Sequence, residues 1–130
     1  MSDLAARFAE YERQLLVSPA VMRFVILRQR VRDGDGYIRL RIELSDESLL
    51  EVSEYWAETV EGILALQEYT YHWQAASGKL VQRWDNAAHF PDLPGAPQHI
   101  HQADGLVVGA VEKPALQQVL NEIERRILRT

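Results

Sequence analysis

The stretch MRFVILRQRVRDGDGYIRLRIEL, residues 22–44, alternates with a period of two on either side of Asp33-Gly34-Asp35-Gly36. Successive side chains of an extended strand point to opposite faces, and an Asp-Gly cluster between two such runs is a hairpin signal. Residues 22–32 and 37–44 are therefore expected to be paired antiparallel strands. With the four Asp-Gly residues as the loop, Val25, Leu27, Gln29 and Val31 share a face with Ile38, Leu40, Ile42 and Leu44. Arg28, Arg30 and Arg32 then share the opposite face with Tyr37, Arg39 and Arg41. Five arginines on one hairpin face repel one another, so they need phosphates or carboxylates as partners; Glu51 and Glu54 are the nearest acids on the following strand.

On the N-terminal side, Leu4, Phe8, Tyr11 and Leu15 recur at helical spacing. They predict a helix to about Val17, with Ser2 as its cap and Pro19 at its end. On the C-terminal side, alternation returns in 49–58 and 63–73, and Ser77-Gly78 turns the chain into Lys79–Trp84. Residues 86–105 contain Pro91, Pro94 and Pro97 and read as a loop, of a length that is usually functional or disordered. Leu106–Val111 is either a sixth strand or an ordered connection. Pro114 suits the first turn of a last helix, whose apolar stripe is Leu116, Val119, Leu120, Ile123 and Ile127, with Glu122 and Arg126 on the wet side. The order predicts an α+β fold: an antiparallel β-sheet of five or more strands packed on N- and C-terminal helices, as a single domain over residues 1–130.

Composition narrows the function classes. No apolar run approaches the roughly 20 residues of a membrane span, and the first residues lack a basic, apolar leader. With no cysteine, disulfides and thiolate metal centres are excluded. A cytoplasmic protein with no membrane partner is the simplest expectation. The net charge of −5 weighs against bulk affinity for nucleic acid, although the arginine face shows that distribution matters more. A Gly-rich phosphate loop, a Ser-His-Asp arrangement and a helix-turn-helix are all missing from the sequence, which leaves nucleotide binding without support.

Chemistry concentrates in YTYHWQAASGKLVQRWDNAAHFPDLPGAPQHIH, residues 69–101. His99 and His101 are two apart, so in an extended segment both rings project to one side, as an acid–base pair or as two metal ligands. The alternative is a pair of exposed loop histidines. His89 lies across the proline-rich loop. Arg83 and Asp85 alternate with Trp84, as a phosphate holder and an orienting carboxylate or as a strand-end ion pair. Tyr69, Tyr71, Trp73 and Trp84 are either sheet core or a base-stacking surface; Tyr71 and Trp73 join the five arginines as candidate nucleic-acid or partner contacts. The carboxylates near the histidines have no recognised metal spacing, and a cupin is excluded because its following Glu and distant second His are missing. The expectation is no metal and no cofactor.

The pattern Tyr69, Tyr71, His72, Trp73, Gln74, then Gly78, Arg83, Trp84, Asp85, Asn86, Ala87, His89, Pro97, His99 and His101 resembles the TumE family. With the Pro-Ala-Leu-x-x-Val-Leu helix, it covers roughly residues 68–128. Family members often carry adjacent histidines where this chain has Gln98-His99. The resemblance implies the toxin half of a prokaryotic toxin–antitoxin pair, a cognate antitoxin as partner and RNA as the commonest target class of small toxins. It implies a metal-independent ribonuclease in which His99, His101 and His89 move protons, Arg83 stabilises charge and Asp85 orients. The arginine face would hold RNA or an acidic antitoxin segment. The competing class is a non-catalytic protein that binds a helix-turn-helix partner or nucleic acid. A homo-oligomer is compatible with either.

Overall fold

A computed structural model describes residues 3–110 and 112–128. Helix α1 (Asp3–Val17) leads into seven strands, β1 (Val21–Arg32), β2 (Asp35–Leu44), β3 (Leu49–Glu58), β4 (Leu64–Gln74), β5 (Leu80–Asp85), β6 (His99–Gln102) and β7 (Val107–Gly109). Helix α2 (Leu116–Ile127) follows. The strands form one sheet in chain order, each antiparallel to the next. The expected α+β architecture is the observed one. The proposed Ser2 cap lies outside the described residues, as does Val111.

Alternation explains why the sheet has two unlike faces. Ile38, Leu40 and Ile42 of β2, Leu50 and Val52 of β3, Tyr69, Tyr71 and Trp73 of β4 and Trp84 of β5 are buried together with Leu4, Phe8, Tyr11 and Leu15 of α1. Leu116, Val119, Leu120 and Ile123 of α2 complete the cluster. Both helices thus lie on one side, and Ser18 at the end of α1 donates a 2.7 Å hydrogen bond to Glu124 of α2. Gln118 accepts from the Ala115 N–H at 2.8 Å, capping α2 one residue after Pro114.

Three sequence expectations need correction. The hairpin turn has two residues, not four: Arg32 pairs with Asp35, and Asp33-Gly34 makes the turn with Gly34 at φ 88°. Shortening the loop by a pair of residues preserves parity, so Arg28 and Arg39 are opposite one another and all five arginines share the expected face. At Leu27, however, a bulge adds one residue and flips β1 from Ile26 back to Arg23, where a second shift follows. Phe24 and Ile26 pack on the core, whereas Val25 pairs with Arg41, and Leu27, expected to be buried, is 40% exposed. Second, residues 86–105 are not all loop, because β6 starts at His99. Third, Glu54 faces the helices, where Tyr11 (2.7 Å), Trp56 (2.9 Å) and Tyr71 all donate to its carboxylate. It is unavailable to the arginines.

Candidate functional site

The face turned away from the helices is polar across its middle strands. One lateral row runs Arg28, Arg39, Ser53, Thr70, Asp85 and His99 across β1 to β6. Beside it runs a second: Arg41, Glu51, His72, Arg83 and His101, one residue from each of β2 to β6. Neighbouring strands lie about 4.8 Å apart, so β2 and β6 are separated by roughly 19 Å. Between the arginines and the histidines lie two shallow clefts, of about 440 and 500 Å³, which share Tyr37, Ser53 and Thr70.

At the β5–β6 end the chain builds a tight cluster around Asp85. Pairing places Asp85 opposite His99, and alternation puts His101 on the same side. Arg83 Nε donates to Asp85 Oδ2 at 2.9 Å, and the Ala87 N–H donates to Oδ1 at 3.0 Å. His101 Nε2 stands 3.5 Å from Oδ2. His99 is 1% exposed. Its Nδ1 is 2.9 Å from the Pro97 carbonyl, which can only accept, so Nδ1 carries the proton. Its Nε2 is 2.8 Å from Asp85 Oδ1, yet the buried atom has no hydrogen-bond partner. The proline-rich segment roofs this cluster. Phe90 packs edge-on against both rings, at 4.9 Å from His99 and 5.7 Å from His101. Gly109 on β7 admits the Pro94 backbone so closely that a Cβ there would lie 2.0 Å from its carbonyl oxygen.

Asn86 explains why β5 ends beside the cluster. Its side chain accepts from the Tyr69 N–H at 3.1 Å and donates to the Gln67 carbonyl at 2.9 Å, continuing the ladder with β4 after the strand itself has left. The Arg-Trp-Asp-Asn-Ala run thus alternates site, core and site before an amide that stands in for backbone.

The TumE family profile, described as Toxin TumE, matches residues 9–127. The chain belongs to the TumE toxin family. No curated protein and no solved structure matches it significantly.

In this TumE-family toxin, Arg83, Asp85, His99 and His101 come together. His89 does not: it is exposed on the roofing segment, and its ring neighbour is Phe90, at 6.5 Å. Arg32 is occupied by Asp35, through two hydrogen bonds of 2.8 and 2.9 Å. Among the described residues, the side chains of Arg28, Arg30, Arg39 and Arg41 make no hydrogen bond or salt bridge, although the Arg30 charge is felt at Asp35. Tyr71 and Trp73, candidates for base contact, are 0% and 3% exposed on the helix side and cannot stack on a ligand. Trp73 instead donates to Ser48 at 2.9 Å and carries Arg126 over its ring at 4.7 Å.

His72 is the residue that sequence reasoning passed over, although it stood opposite Tyr71 and Trp73 in the alternation. Its Nδ1 is 3.2 Å from Arg83 Nη1 and accepts from it. Burial, then the Arg83 charge, push its pKa below the ordinary histidine value. Burial also lowers His101, against the opposing influence of Asp85. Among the described residues no helix is long and apolar enough to cross a membrane.

Proposed function

We propose that this toxin acts by cutting RNA on the polar face of its sheet, and that its antitoxin blocks that face. What carries the reading is the row Glu51, His72, Arg83 and His101, four adjacent strands that place a cation between two imidazoles. Cleavage of RNA by its own 2′-hydroxyl needs three things: a base for that hydroxyl, a cation for the pentacovalent phosphorane and a proton for the departing 5′-oxygen. Arg83 is the cation. His72 is the base, held neutral by burial and by Arg83 itself. When the phosphate engages the guanidinium, the Nδ1 lone pair of His72 is released to accept the hydroxyl proton. The 2′-oxygen–phosphorus bond forms, the bond to the 5′-oxygen breaks, and that oxygen takes its proton from the His101 imidazolium, whose charge the Asp85 carboxylate favours. The products are a 2′,3′-cyclic phosphate and a 5′-hydroxyl. Asp85 orients His101, and buried His99 acts through Asp85 as a positioning residue.

The unpaired Arg28, Arg30, Arg39 and Arg41 extend the track along which the RNA backbone lies. An acidic antitoxin segment has the complementary charge for the same arginines and excludes RNA by competing for them.

The test is expression of the toxin alone, with growth and RNA cleavage both followed. His72→Ala, Arg83→Ala and His101→Ala are each expected to relieve growth arrest and to slow cleavage by about 100-fold or more. A 2′-deoxy substitution at the cut site should abolish cleavage. Equal cutting of the deoxy substrate, or full toxicity of both histidine variants, would reject the mechanism and leave a protein that binds its target without cutting it.

A further inference from the structure

We propose that Asp85, His99 and His101 bind a divalent first-row transition-metal ion such as Zn²⁺ or Co²⁺. The three residues each offer a ligand atom, and all these atoms lie within 4.8 Å of one another. With metal–ligand bonds of about 2.0–2.2 Å, two ligands of one ion stand about 3–3.5 Å apart. The observed separations from Asp85 to the two Nε2 atoms, 2.8 and 3.5 Å, bracket that range.

The independent observation is the state of His99. Its proton is on Nδ1, donated to the Pro97 carbonyl, the outer hydrogen bond that metal-binding histidines characteristically make. In the neutral ring Nε2 then holds a lone pair. That lone pair is buried, has no hydrogen-bond donor, and faces a carboxylate oxygen at 2.8 Å. Two acceptors at that distance repel unless a cation lies between them. Arg83 supplies charge only to the other carboxylate oxygen, Oδ2, and leaves the gap at His99 Nε2 unfilled. A metal ion bound there would fill it.

Fold and sequence both prepare the ligand set. His99 and His101 are i and i+2 on β6, and Asp85 is the registered partner of His99 on β5. The Ala87 N–H fixes the carboxylate, while Phe90 covers the rings. Two imidazoles and one carboxylate suit transition metals over Mg²⁺ or Ca²⁺, which prefer all-oxygen sets. Three protein ligands leave coordination positions open, and the His101 side chain, 28% exposed, leaves the cluster accessible to solvent. With an ion bound, His101 would be a ligand, and the ion would supply Lewis acidity beside Arg83.

The experiment needs no RNA. The purified chain is stripped with a chelator, dialysed, and titrated with Zn²⁺ by calorimetry and with Co²⁺ by visible absorption. One ion per chain is expected, with a Co²⁺ spectrum of nitrogen and oxygen ligation and a raised melting temperature. His101→Ala, at a half-exposed position that tolerates truncation, should bind at least about 100-fold more weakly while keeping the wild-type circular dichroism. His89→Ala should bind like wild type. Absence of binding by wild type, or equal binding by wild type and His101→Ala, overturns the site. RNA cleavage without ion binding would remove this inference alone, whereas ion binding without cleavage would remove only the ribonuclease reading.

Discussion

If the four unpaired arginines hold an RNA backbone, the salt dependence of binding counts them. Each phosphate neutralised on a single strand contributes about −0.7 to the slope of log K against log salt concentration. Arg28, Arg30, Arg39 and Arg41 are exposed and share one face of β1 and β2. Together with Arg83, which engages the phosphate to be cut, they set a slope of about −3.5, a loss of about 130-fold between about 50 and 200 mM salt. Replacing Arg39 and Arg41 by Ala should lower the slope to about −2.1 and reduce that loss to about 18-fold. Arg32→Ala should leave the slope unchanged, since its guanidinium already spends two hydrogen bonds on Asp35. The assay is fluorescence anisotropy with a labelled 2′-O-methyl oligoribonucleotide, which binds but cannot be cut. An unchanged slope in the double variant, or an equal effect from Arg32→Ala, would refute the assignment of this face to phosphate.

Further outcomes follow from particular contacts. Tyr71→Phe removes one of three donors from the buried Glu54 carboxylate and should cost about 1–3 kcal/mol in urea denaturation, with binding to the open face unaffected. Leu40→Ala, at a fully buried position, should cost about 2–5 kcal/mol, whereas Leu27→Ser at the β1 bulge should stay within about 0.5 kcal/mol; similar losses at the two sites would disprove the bulge. Gly109→Ala should push the Pro94 backbone off β7, read as faster hydrogen exchange over residues 90–98 while β2 and β3 keep their protection. Hydrogen bonds from Arg32 and Tyr55 hold the Asp35 carboxyl at about 2, below its ordinary 3.8. The folded state therefore binds this proton less readily than the unfolded one, and the contribution is complete above about pH 4 and lost as pH falls toward 2. Asp35→Asn should flatten acid unfolding in that window.

Much of the molecule was legible along the chain. Period-two alternation and the Asp-Gly turn placed five arginines on one face, and the parity of the pairing protected that result even though the loop was two residues shorter than expected. The helical stripes and the α+β order were equally readable, because they depend on local periodicity. The spacing of His99 and His101 announced a shared side as soon as the segment was extended. The misplacement of Glu54 was avoidable: it stands three residues from Glu51 in a strand, and odd separations put side chains on opposite faces.

What tertiary structure decided depends on register between distant segments. The Leu27 bulge flips Val25 outward because pairing with Arg41 and core packing of Phe24 and Ile26 outweigh unbroken alternation, and no local signal marks that residue. Asp85 meets His99 only because β6 returns beside β5 after the proline-rich segment. His72 becomes a neighbour of Arg83 only across the β4–β5 pair. Alternation says which side of its own strand a residue takes. Which residues then stand opposite one another, and which imidazole nitrogen is left without a donor, follows from how the strands are aligned and from what the Pro97 carbonyl and the Phe90 ring place around the buried ring.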